Sequence, residues 1–204
     1  MIKRELPLDI LEFFCLTPLP GSEDHQTLWR GGIPMHPDLN RYDAEHVCAP
    51  HPKMTEAEWE AIYLEVWGIY YSKDHMRTLL KRAYAAGLPM VSLLKLLVTF
   101  STTLPVERVH PLQSGILRMK HPSELRPGLK RPNTALFWLG FAWETVRKHV
   151  LIGRELVSLL RMLRAIKRDP ASATYMDTAL TPVDPETDAK LELLAPALAK
   201  QKAA

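Results

Sequence analysis

The sequence predicts a mainly α-helical protein with a little β-structure at its start. Three observations carry this. Apolar residues recur at helical spacing, bounded by start and stop signals, across residues 55–103 and again across 134–167. A span holding Pro105, Pro111, Pro122, Pro127 and Pro132 separates the two blocks and reads as extended and wrapping. The only β-prone run, Ile10, Leu11, Phe13, Phe14, Cys15 and Leu16, is closed by two prolines and a glycine and reads as one buried parallel strand. A lone strand leaves backbone donors and acceptors unpaired, so the expected sheet is incomplete, and the face of Phe13, Phe14 and Leu16 becomes an aggregation liability.

The elements follow in order. Residues 26–54, rich in Pro, Gly, Asp and His, read as an ordered loop with a short helix near Thr27 to Arg30. Thr55 and Glu58 form a capping box that starts a helix to about Tyr71, with Trp59, Ile62, Tyr63, Val66 and Tyr70 at helical spacing. Ser72 starts the next helix, whose stripe Met76, Leu79, Leu80, Tyr84 stops at Gly87 and Pro89. A third helix fills Pro89 to about Thr103. A long one runs from Thr134 to Lys167, with Trp138, Phe141, Val146, Val150, Val157, Leu160 and Leu163 expected on one apolar side. Residues 184–204 read as a frayed, flexible helical tail.

With 204 residues, 47% hydrophobic and 24% charged, the composition is that of a globular protein of one or two domains. Met1 to Glu5 leads into an acidic, proline-punctuated stretch instead of a secretory leader, and the apolar runs around Leu88–Phe100 and Leu136–Trp143 fall short of the ~20 residues a bilayer needs. Two isolated cysteines, Cys15 and Cys48, make no disulfide framework, so a reducing, cytoplasmic location is expected. The net charge of +3 hides a division: residues 1–60 carry 5 basic against 11 acidic side chains, whereas residues 118–168 carry 12 against 3. Arg147, Arg154, Arg161 and Arg168 repeat every seven residues and form one stripe along the long helix. Its readings, in order, are a solvated face or one matched by the acidic first sixty residues, then a weak contact with an anionic membrane; the lack of aromatic interleaving argues against nucleic acid.

His46, Cys48 and His51 lie close together in sequence, with Asp24, His25, His36 and Asp43 nearby, but H-x-C-x-x-H matches no common zinc spacing, so no metal is expected. Cys15 reads as an inert buried thiol and the helix-stripe tryptophans as core. No phosphate loop, triad order or paired catalytic carboxylates stand out.

The strings IKRELPLDILEFFCLTPLPGSEDH, DLNRYDAEHV, HPKMTEAEWEAIY, HPLQSGILRMKH, LRPGL and YMDTALTPV, in this order, resemble the C-terminal part of radical SAM proteins, in particular those with an N-terminal cobalamin-binding domain. The resemblance runs from about Ile2 to Val183 and implies that residues 1–54 are the terminal strand and loop of a partial α/β, TIM-like barrel, residues 55–183 a helical C-terminal region, and the N-terminal domain and most of the barrel absent. The family cleaves S-adenosylmethionine with a 4Fe–4S cluster held by C-x3-C-x2-C, which two cysteines 33 residues apart cannot supply, so this chain alone is expected to bind no cofactor and not to be catalytically competent. The resemblance further implies that Leu16, Thr17, Pro18, Leu19, Pro20 and Gly21 lie near the adenosyl part of the cofactor. Glu23, Asp24, His25, His46 and His51 become substrate-site candidates. The implied partners are the missing barrel half, a 4Fe–4S cluster and S-adenosylmethionine, with cobalamin as a further family cofactor. The alternative is an independent helical interaction protein that applies its basic amphipathic helix to a membrane or a protein partner.

Overall fold

The computed structural model describes residues 2–115, 117, 119–124, 130 and 132–181, and within them the chain is mainly helical, with no β-strand among the described residues. The helices are α1 (Ile2–Glu5), α2 (Glu23–Arg30), α3 (Glu56–Tyr70), α4 (Lys73–Ala85), α5 (Met90–Glu107) and α6 (Thr134–Arg168). The expected tail 184–204 lies outside the described residues.

Local chemistry sets most boundaries. The Thr55 hydroxyl accepts from the Glu58 amide at 3.2 Å while the Glu58 carboxylate accepts from the Thr55 amide at 2.8 Å, and the reciprocal pair starts α3. Gly87, at φ +67°, lets the chain reverse after α4 with the Leu88 amide donating to the Ala83 carbonyl. Asn133 accepts from the Ala135 and Leu136 amides to open α6. Two helices outrun their expected ends. The Ser22 hydroxyl accepts from the His25 amide and extends α2 back to Glu23, well before Thr27. α5 continues past Thr103 through Pro105 to Glu107, and Arg108 ends it in the left-handed region at φ +54°.

α5 is the central element. Its Leu93, Leu94, Leu97, Val98, Phe100 and Leu104 are buried in one cluster with Met76, Leu79, Leu80 and Ala83 of α4, Leu159 and Ile166 of α6, and Tyr63, Trp67 and Tyr70 of α3. α5 has the length and composition to cross a bilayer, but this face is committed to the core. Leu79, Leu80, Leu97 and Leu159 are fully enclosed, and truncating any one to Ala costs about 2–5 kcal/mol.

The apolar run expected as a buried strand is an extended strap laid over this layer. Its backbone is held by phenols: Tyr70 Oη donates to the Leu8 carbonyl at 2.9 Å, and Tyr71 Oη donates to the Leu11 carbonyl at 2.7 Å while accepting from the Leu11 amide. The Cys15 amide donates to the Ala44 carbonyl at 2.7 Å. Side chains alternate about the strap. Phe13 turns inward, edge-on to Trp67 at 5.4 Å, and Cys15 is buried, whereas Phe14 is 51% and Leu16 75% exposed.

α6 has two apolar faces. Leu159, Leu163 and Ile166, with Ile152 and Met162, pack inward along its second half. Leu136, Leu139, Trp143, Val146, Val150 and Val157 alternate by three, four and seven residues on the opposite side and are exposed. Trp138, Val146, Val150 and Val157, expected on the core side, therefore sit at the surface, because periodicity marks an apolar stripe without saying which stripe has a neighbour. Arg147, Arg154, Arg161 and Arg168 flank the exposed seam, and among the described residues none forms an ion pair with residues 1–60. Lys148, on the core side, pairs with Glu107 at 2.9 Å and donates to the Gly115 carbonyl.

Arg82 of α4 ties the N-terminal segment to the turn at Asp177. Its guanidinium donates to Asp177 at 2.8 Å, to the Lys3 carbonyl at 3.0 Å and to the Leu6 carbonyl at 3.3 Å, from a nearly fully buried position. Burial alone would raise the Asp177 pKa, but the hydrogen bonds from Arg82 and Tyr175 outweigh it and hold the carboxyl below its ordinary value. Changing Arg82 to Leu leaves Asp177 and two carbonyls without their donor and is expected to destabilise the fold by about 3 kcal/mol in urea unfolding. Arg82→Lys should recover little, because one ammonium cannot span three acceptors.

His75, also buried, holds its Nδ1 proton against the Tyr70 carbonyl at 2.8 Å. Burial pushes its pKa below the ordinary 6.5, against the smaller effect of that hydrogen bond. The unfolded chain then takes up a proton below about pH 6.5 that the folded chain refuses, so stability falls as pH drops through that range. Urea midpoints measured from pH 7.5 to 5.5 should decline, and less steeply in His75→Gln.

Candidate functional site

The 31–54 loop is built by short-range polar caps. Asp38 accepts from the Asn40 amide and starts a 3-10 turn, Leu39–Arg41, from which Arg41 reaches Glu56 at 2.7 Å and Glu60 at 2.9 Å. Tyr42 Oη donates to the His36 carbonyl, and the His36 amide donates to the Cys48 carbonyl, folding the loop back on itself. Asp43 accepts from the amides of Glu45 and His46 and lies 2.8 Å from His46 Nδ1. Burial acts to raise its pKa, yet these bonds bring the carboxyl below its ordinary value. The turn forces Ala44 to φ +64°, a conformation that costs a residue with a Cβ about 1–2 kcal/mol.

Glu45 and His46 of this loop line a cavity of about 660 Å³. Glu60, Tyr63 and Trp67 of α3, Tyr71 at its end, and Phe100, Ser101, Leu104 and Pro105 of α5 complete the lining, with Arg108 at the end of α5. Glu45 is fixed from behind by the His110 amide at 2.6 Å. The His110 ring stacks on Phe14 at 4.6 Å and meets Trp67 edge-on at 5.4 Å. Its Nδ1 accepts from the Leu112 amide, so the proton sits on Nε2, a buried donor with no acceptor within reach. Pro105 has no N–H to offer the Ser101 carbonyl, one turn back in α5.

Tyr63 and Trp67 are 6% and 3% exposed, and neither Tyr63 Oη nor Trp67 Nε1 makes a hydrogen bond. The indole N–H lies near enough to favour the Tyr63 phenolate slightly, but outside bonding geometry. Burial, with the Glu45 carboxylate adding to it, pushes the Tyr63 pKa far above its ordinary value, so the phenol keeps its proton and remains a donor.

The expected site residues separate. His46 lines the cavity beside Glu45. His51 lies in a different cleft with His36, Cys48 and Thr55, its ring edge-on to Trp59 at 5.0 Å. His25 borders a third with Gln26, Trp29 and Arg30, while Glu23 and Asp24 are exposed in the first turn of α2. Leu16 to Gly21 form an outward turn: Leu16, Leu19, Pro20 and Gly21 are exposed, Pro18 is buried, and Thr17 Oγ1 bonds the Cys15 carbonyl. Among the described residues, no three His, Cys, Asp or Glu side chains are grouped to share a metal ion. Both cysteines are free and buried. Burial is the main cause raising the Cys15 thiol to about 11 and the Cys48 thiol above its ordinary value, which makes both poor nucleophiles and ligands. Tyr63, Trp67 and Phe100 were legible in the sequence only as core aromatics; their place in the lining of a cavity shows only in three dimensions.

Comparison with protein-family models, with curated proteins and with solved structures found no match to this chain.

Proposed function

We propose that the chain is the C-terminal region of a radical SAM protein, working with a barrel half that carries the cluster. The observation that supports this reading is the strap. Its inner edge is occupied by tyrosine hydroxyls and the Ala44 carbonyl, while Leu16 and Leu19 are exposed and Phe14, half-exposed, carries the His110 ring on one face, an outer side such as the last strand of a sheet presents when the rest is supplied elsewhere. In this reading Leu16 to Gly21 approach the adenosyl group, and Glu23, Asp24, His25, His46 and His51 line or close the substrate space above it. The chain's own residues then position and enclose; the cluster, S-adenosylmethionine and any cobalamin belong to the other half. Anaerobic reconstitution of this chain alone should yield no stoichiometric iron–sulfur absorbance, and co-expression with a reading frame encoding C-x3-C-x2-C directly upstream should yield a complex that holds it. A stable cluster on the chain alone, or unrelated sequence upstream, overturns the reading.

The outer seam of α6 favours a second reading, docking on an anionic membrane surface. Leu139, Trp143, Val146 and Val150 form an exposed apolar face, and Arg147, Arg154 and Arg161 run along its border, which is the pattern of an interfacial helix. A second copy is a poorer occupant, since the seam is bordered by arginines and brings no acidic row to meet them. Each Arg near such a surface contributes about 1 kcal/mol. The protein should co-sediment with anionic vesicles at low salt, release at higher salt, ignore neutral vesicles, and lose binding when Arg147, Arg154, Arg161 and Arg168 are all changed to Gln. Sedimentation unaffected by lipid charge overturns this reading.

A further inference from the structure

One edge of the strap carries hydrogen-bonding groups that the chain does not itself use. In an extended segment, successive residues turn their amides and carbonyls to opposite edges and their side chains to opposite faces. From Ile10 onward one edge is occupied: Leu11 bonds Tyr71 Oη through both its amide and its carbonyl, and the Cys15 amide donates to the Ala44 carbonyl. The residues between them belong to the other edge. Among the described residues, no amide or carbonyl of Ile10, Glu12, Phe14 or Leu16 is bonded, and between Pro7 and Pro18 no proline removes a donor. His110, the neighbour of the Phe14 ring, is tied to Glu45 beside the Ala44 turn and so stands at the occupied edge. Folded chains leave few buried backbone groups unpaired, so a run of them along one edge faces solvent and is open to pairing.

The space under the strap suits an added strand. A cleft of about 520 Å³ is lined by Leu11 and Phe13 of the strap, by Val66, Ile69 and Tyr70 of α3 and by Ile2 to Arg4 of α1, whereas Tyr71 and Ala44, which hold the occupied edge, do not line it. Most of these side chains are apolar and Ile69 is half-exposed, so apolar side chains on an incoming strand gain burial here while its backbone bonds the edge. Alternating donors and acceptors at strand spacing are the complement of a polypeptide backbone. A second copy of the chain fits less well. Paired antiparallel, it keeps its core on the same face of the sheet and brings its own α1 and α3 to where this chain's α1 and α3 already stand. We infer that the edge formed by Ile10, Glu12, Phe14 and Leu16 takes up an extended strand of another polypeptide, whose alternate apolar side chains enter the cleft beside Phe13. The inference does not rest on the radical SAM reading, since any polypeptide that brings such a strand meets it.

The test uses the full chain, ¹⁵N-labelled, and the synthetic peptide Ac-Lys-Val-Thr-Val-Lys-Val-Lys-amide, whose valines suit the cleft and whose lysines stay in water beside Glu12. Titration should move the amide signals of Glu12, Phe14 and Leu16 downfield to saturation and slow their exchange with deuterium, while those of Leu11 and Cys15, already bonded, move little. Two further peptides carry N-methyl groups, one on every valine and the other on every lysine and threonine. A strand bonds a neighbour through one edge only, so one of the two should bind like the parent and the other at least about tenfold more weakly. Equal binding or equal loss of both overturns the inference, as do shifts that bypass the strap edge or a parent peptide that does not bind. Protection of the same amides that grows with protein concentration in the absence of peptide, with a dimer in sedimentation equilibrium, gives the edge to a second copy and overturns the choice of occupant. Every arm is run on the unmodified protein, and none depends on whether a cluster forms.

Discussion

The Arg82 guanidinium is the constraint on which the remaining arrangement depends. It is nearly buried and bonds Lys3, Leu6 and Asp177, residues that are remote from it along the chain. A buried cation is tolerable only with its donors satisfied, so α4 can pack against α5 and α6 only when the N-terminal segment and the 175–179 turn arrive in place. Fixing Lys3 and Leu6 in turn fixes where the strap starts. That start sets the register by which Phe13 and Cys15 point inward and Phe14 and Leu16 outward, and Cys15 then anchors the Ala44 turn that presents Glu45 and His46. One ion pair thus reaches the cavity wall through a series of backbone hydrogen bonds.

The tyrosines of α3 carry the next link, and they do two jobs at once. Tyr70 and Tyr71 bury their rings in the core and send their hydroxyls to the strap backbone, where another strand would otherwise bond. Trp67 and Tyr63, one and two turns earlier in the helix, bury their rings in the same way, but their polar atoms meet no strap carbonyl. The same side-chain chemistry gives structure at one end of α3 and an unfilled hydrogen-bonding demand at the other. What separates the two ends is whether a polar atom meets the strap backbone.

Much of the helical layout was legible in the sequence because its signals are local. The Thr55–Glu58 box, Gly87 and Asn133 each act through neighbours three or four residues away, and the boundaries they imply hold. The strap forms no strand among the described residues because its backbone partners there are hydroxyls 60 residues distant, and no local pattern distinguishes an extended segment held by phenols from one held by strands. Pro105 was taken as a break, yet a proline in the last turn forfeits only one helical bond and α5 absorbs it. Of the site, His46 could be singled out as a loop histidine near acidic residues, whereas Tyr63 and Trp67 carry the same helical spacing as true core aromatics. Periodicity likewise merged the two faces of α6, since both are apolar and only packing tells them apart.

That division of α6 has a consequence for its internal motions. The helix is continuous over 35 residues, about 50 Å, but its packing is not. Beyond Lys148 toward the C-terminus its side chains enter the core, and backbone amides there can exchange with solvent deuterium only through large-scale opening. Before Lys148 the helix rests on its own hydrogen bonds, its Asn133 cap and a few contacts such as Lys120 with Glu144. Amides in that half should exchange by local fraying, orders of magnitude faster, along one unbroken rod. The boundary falls where Lys148 meets Glu107, so that ion pair sets how far the fraying travels toward the core.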